Sequence, residues 1–159
     1  MVEYSAFVID RGVRRWIISS LGISGIVSAK TGQVYQPIAD HVTIAYPAVA
    51  DGNGRGEFIK LMEVIHDDEC GVIVALCAVG LYPSRYLRSD GMPFHLTLAM
   101  DNTTDAREIR PRSFMSNDIA SGFLNKHGGV DGYLAFRRNR SCNRSLTFFC
   151  EQKVLQSFS

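Results

Sequence analysis

Asp40-His41-Val42-Thr43-Ile44-Ala45 and Phe94-His95-Leu96-Thr97-Leu98-Ala99 repeat one pattern, His-apolar-Thr-apolar-Ala, 54 residues apart. Side chains in a strand alternate between faces, so residues i and i+2 share one. Each segment therefore predicts a strand that shows an imidazole and a hydroxyl on one face. Val42 and Ile44, or Leu96 and Leu98, anchor the other face in a core. With 4 His in the chain, random placement gives roughly 0.15 His-x-Thr occurrences, an estimate that weighs against coincidence. Two are present, with matched flanks.

Working outward, residues 5–9 and 23–29 read as strands, and residues 13–21 as a helix closed by Gly22, with Val13, Trp16, Ile17 and Leu21 at helical spacing. By that spacing Trp16 is a packing residue. The first motif strand, 41–46, stops at Pro47. Residues 58–79 read as a long hairpin turning at Asp67-Asp68-Glu69-Cys70-Gly71, and residues 94–100 as the second motif strand. Ser116 or Asn117 is placed to cap a short helix running to Leu124. Residues 133–137 and 145–154 are late strand candidates. Short strands with few helices indicate an α+β domain.

Composition sets the frame. The 159 residues are 46% hydrophobic and 21% charged, as in ordinary globular proteins, and suit a single domain over 1–159. The formal charge of +1 argues against a duplex-DNA binder. Residues 1–80 hold 6 Lys+Arg against 9 Asp+Glu (−3), and residues 81–159 hold 11 against 7 (+4), enough for a local basic wall facing a small anion. The longest apolar run, 71–82, is short of the roughly 20 residues that span a bilayer. Met1-Val2-Glu3-Tyr4 has no secretory pattern. Cys70, Cys77, Cys142 and Cys150 form no C-x-x-C pair and read as reduced thiols of a cytoplasmic protein.

The paired motifs resemble those of the 2H phosphoesterase superfamily, whose hallmark is two His-φ-Thr/Ser-φ segments (φ apolar) in two pseudo-symmetric lobes. The resemblance runs over roughly 5–117 in order of elements. Residues 111–117, with Ser116-Asn117, look like the post-motif segment of RNA-ligase-associated and small phage members. The last thirty or so residues carry no motif. The resemblance implies a duplicated, two-lobed α+β fold, with antiparallel sheets around a central cleft and helices flanking them. It also implies action on ribose phosphodiesters: cyclic nucleotide or oligonucleotide immune signals, as in the phage anti-CBASS branch. The alternatives are 2′,3′-cyclic or 2′-5′ linkages at RNA ends or in oligoadenylate, or a module that sequesters nucleotides without turnover.

The chemistry is consistent with those residue types. Phosphodiester cleavage needs a base for the attacking hydroxyl or water and an acid for the leaving oxygen, and histidine serves as either near neutral pH. His41 and His95 take these roles in an order the sequence leaves open. Thr43 and Thr97 donate to the non-bridging oxygens. No metal or other cofactor is expected. Tyr4, Tyr46, Arg85, Tyr86 and Arg88 are candidates for base stacking and phosphate contact, and the partner is a cyclic nucleotide or short oligonucleotide. Other features have plainer readings. His66 beside Asp67 and Asp68 reads as a solvated acidic turn, and His127 as a surface turn residue. Arg137-Arg138-Asn139-Arg140 with Arg144 reads as a solvated charge run. The glycines of 51–56 lack the Gly-Lys-Ser/Thr of a phosphate-cradling loop.

Overall fold

The run Val72-Ile73-Val74-Ala75-Leu76-Cys77-Ala78-Val79 is buried at every position, which fixes it as a strand covered on both faces. A computed structural model describes residues 2–45, 55–101, 112–140 and 145–157. In chain order the elements are β1 (Val2–Val8), α1 (Arg11–Ser20), β2 (Gln36–Pro37), β3 (His41–Ala45), β4 (Glu57–Asp67), β5 (Val72–Val79), β6 (His95–Met100), α2 (Arg112–Lys126), α3 (Gly129–Arg138) and β7 (Leu146–Ser157). The expected hairpin is β4–β5. Its turn needs Gly71, which has φ +69° and where a Cβ would lie 2.2 Å from the Asp101 carboxylate.

All strand pairings are antiparallel, in the order β2-β6-β3-β1-β7-β4-β5, with β5 pairing back onto β6. Six strands thus close into a ring, and β2 continues the β3 edge along β6. One face of each ring strand enters a shared core: Phe7, Val42, Ile59, Leu61, Ile73, Ala75, Cys77, Leu96, Leu98, Phe148 and Cys150. The opposite face carries exposed Phe58 and Phe149, so the shared face is the interior. On the outside, α2 and α3 pack Ala120, Leu124 and Tyr133 against Met62, Leu76 and Ala78. The fold is α+β with an antiparallel sheet, as the sequence predicts.

Several expectations need correction. Val13, Ile17 and Leu21 face the core as their spacing predicts, but Trp16 is 45% exposed at the edge of that face and is not a packing residue. The helix starts at Arg11 because the Asp10 side chain accepts from Val13 N at 2.9 Å, and Gly22 at φ +64° follows its end. Residues 23–29 form no strand beyond the isolated bridge Val27–Val34, since Gly25 at φ +87° turns the chain. Residues 133–137 belong to α3. Val130, Tyr133 and Leu134 have the i, i+3, i+4 spacing that docks a helix on β4–β5. α2 begins at Arg112, so Ser116 and Asn117 lie inside it rather than at its cap. The strand candidate at 145–154 is borne out as β7, which joins β1 to β4.

Candidate active site

β3 and β6 meet through one register pair among the described residues, Val42 opposite Leu96. Both side chains are fully buried in the interior, so His41, Thr43, His95 and Thr97 take the outer face. Antiparallel pairing runs the two motifs in opposite directions past Val42–Leu96. One regular step on, it sets Thr43 opposite His95, while on the His41 side a kink intervenes and Thr97 O accepts from Ala39 N. The structure brings all four motif residues together on one face.

A kink precedes the first motif. Pro37 pairs with Ala99 and Val42 with Leu96, so five steps on one strand match three on the other. Buried Ala39 takes up the excess at φ +48°, a left-handed conformation that costs a non-glycine residue about 1–3 kcal/mol. Its N–H is held by Thr97 O at 2.9 Å. Beyond the kink, Asp40 Oδ1 lies 2.7 Å from His41 Nδ1. Neighbouring residues in a regular strand point apart, so strand alternation alone does not predict this contact. The hydrogen bond from His41 holds the Asp40 carboxyl below the usual range. An ionised carboxylate only accepts, so Nδ1 carries a proton and the tautomer leaves Nε2 as the other ring nitrogen.

His95 differs. It is 9% exposed, and its Nδ1 donates to Pro93 O at 3.0 Å, which again leaves Nε2 for the site. Burial pushes its pKa below the ordinary histidine value. The bond to Pro93 opposes that shift, and the charges of Arg88 and His41 add to it. Thr97 Oγ1 lies 2.8 Å from the Oγ of fully buried Ser116, on α2.

Of the candidates for base stacking and phosphate contact, Tyr4 lies beside the site, its ring 5.5 Å from that of His41. Arg88 is buried, forks onto Asp90 and acts on His95 through its charge. Arg85 instead pairs with Glu57 of β4 at 2.5 Å, and Tyr86 packs on the outer apolar cluster beneath α2 and α3. Tyr46 lies outside the described residues. Asp40 and Ser116 join the site without having been assigned a chemical part by sequence.

The plainer features also settle into place. His66 Nε2 lies 3.0 Å from Tyr35 Oη, which donates to Asp68 Oδ1 at 2.7 Å. The acidic turn is thus tied to the 23–35 loop rather than simply solvated. Among the described residues, no group of three His, Cys, Asp or Glu is arranged to hold a metal. His127 does lie in the turn between α2 and α3, half-buried, its ring tilted against Phe123 and Phe136 at 4.6 and 4.4 Å. Arg140 grips Glu63 with both terminal nitrogens, so it docks α3 on β4 instead of lying on a solvated face. Arg144 and Cys142 lie outside the described residues. Cys77 and Cys150 are buried free thiols, with Cys150 pushed up to about 12 by burial. No described helix is long and apolar enough to cross a membrane. No family model, curated protein or solved structure matches the chain.

Proposed function

We propose that this chain is a phosphodiesterase of the 2H type, cleaving a ribose phosphodiester by proton transfer between two histidines. The observation that carries the reading is that the two His-x-Thr segments lie on adjacent antiparallel strands with both sets of apolar residues turned into the core, which leaves both His-Thr pairs on the opposite face. A sequestering module has no need of two titrating groups so placed. The duplicated, two-lobed arrangement implied by the resemblance is part of the proposal, and the adjacency of the two motif strands supports it.

The surroundings divide the labour. A base must be neutral before it acts, and buried His95, its pKa lowered, meets that requirement with Nε2 as acceptor. His41, beside the Asp40 carboxylate, is the acid. His95 takes a proton from the attacking water as the water oxygen bonds to phosphorus. The opposite P–O bond then breaks, and His41 Nε2–H delivers a proton to the leaving oxygen. The hydroxyls of Thr43 and Thr97 donate to the non-bridging oxygens, where charge grows. By resemblance, the substrate is a cyclic nucleotide or short cyclic oligonucleotide signal.

The test is incubation with cyclic dinucleotides, cyclic trinucleotides, 2′,3′-cyclic nucleotides and 2′-5′ oligoadenylate in excess EDTA, followed by chromatography. Conversion of at least one class is expected. Ligand that binds and is recovered intact would leave sequestration as the function.

A further inference from the structure

The helix behind Thr97 carries one residue that helix formation and packing do not account for. The buried stripe of α2 runs Ser116, Ala120, Leu124, four residues apart, with Ala120 and Leu124 in the apolar cluster against β4 and β5. At the end of that stripe stands a serine with no exposed surface. Alanine there would favour the helix and bury no polar atom, since serine competes with the helical backbone for hydrogen bonds. Ser116 is not a cap, because the helix starts four residues earlier. Its recorded side-chain partner is Thr97 Oγ1, at 2.8 Å.

We propose that Ser116 is a positioning residue that donates its hydroxyl proton to Thr97 Oγ1 and thereby turns the Thr97 O–H outward, toward the phosphate. This rests on the phosphodiesterase reading above. A hydroxyl has one proton and two lone pairs. If Thr97 donated to Ser116, it would have no proton left for a non-bridging oxygen. Accepting from Ser116 frees that proton, and chained hydroxyls polarise one another in the same direction. Thr97 is therefore held ready as a donor before substrate arrives, and turnover should depend on the bond more than ground-state binding does.

The experiment is a double-mutant cycle of Ser116→Ala and Thr97→Val on the full chain, reading kcat, KM and urea stability for every variant, with His95→Ala as control. Ser116→Ala is expected to lower kcat roughly 3- to 10-fold with KM nearly unchanged, as fits the loss of one ordinary hydrogen bond. In the Thr97→Val background it should change kcat by less than two-fold, by about the same reasoning, because no hydroxyl remains to be aimed. An equal loss of kcat in both backgrounds, no loss in either, or coupling seen only in urea stability overturns the proposal. Failure of the underlying reading has a different signature: His95→Ala turns over like wild type, or wild type turns over nothing. That result removes the proposal with its premise.

Discussion

His41 and His95 head the same five-residue pattern, yet their surroundings share little. His41 lies half-buried on a strand kinked at its start, with a carboxylate at 2.7 Å and the ring of Tyr4 beside it. His95 is enclosed, bonded to a backbone carbonyl and exposed to the charge of Arg88. A repeated motif fixes which face a side chain takes, because alternation along a strand is local. What surrounds that face comes from elsewhere in the chain, and in the proposed reaction those surroundings are what would separate acid from base.

The largest expected effect tests whether both copies are needed. His95→Ala or His41→Ala should each lower kcat about 10²- to 10⁴-fold, the usual contribution of general acid–base catalysis. A variant within a few-fold of wild type would show that its copy plays no part in proton transfer.

Next come the hydroxyls. Thr43→Val and Thr97→Val should each cost roughly 1–4 kcal/mol of transition-state stabilisation, and Thr→Ser should be mild. Comparable losses for Val and Ser would assign the effect to the methyl group and its packing.

A smaller change sharpens the contrast between the histidines. Asp40→Asn keeps the shape but removes the charge that orients His41, and should lower kcat several-fold, about the worth of one charge-assisted bond in a part-exposed setting. Unchanged kcat would make Asp40 a bystander.

The smallest effect is on stability. The folded protein disfavours protonated His95, so the unfolded chain takes up its proton first on acidification. The stabilisation is complete above the unfolded value of about 6.5 and is lost as pH falls through the folded value. Urea melts across that range should show this decline, and His95→Gln should flatten it. An identical slope in the variant would place the titration elsewhere.

Much of the sheet was legible because its signals are local. Val72–Val79 is continuously apolar, the two motif strands alternate, and Gly22 and Gly71 sit where the backbone needs them. The helices were harder. Tyr133, Leu134 and Phe136 suit a strand by residue type, and only docking on Met62 and Leu76 makes α3 the better use of them. β7 carries nothing that predicts its place, since pairing with both β1 and β4 is a long-range outcome. At the site, the four motif residues were readable from spacing alone. Asp40 reaches His41 through the irregular backbone at Ala39, and Ser116 reaches Thr97 from an element 19 residues on, so neither contact has a sequence period to betray it.

The division of roles between His95 and His41 is tested most directly by the pH dependence of kcat/KM in excess EDTA. The account predicts a bell. Its acidic limb reports the neutral base and lies below the ordinary histidine value, in keeping with the burial of His95, and its alkaline limb reports loss of the acid's proton. A rate that instead climbs to a plateau with pH, is abolished by EDTA and is restored by one divalent cation would contradict it. That is the behaviour of a metal-bound water, and His41 and His95 would then be ligands rather than acid and base.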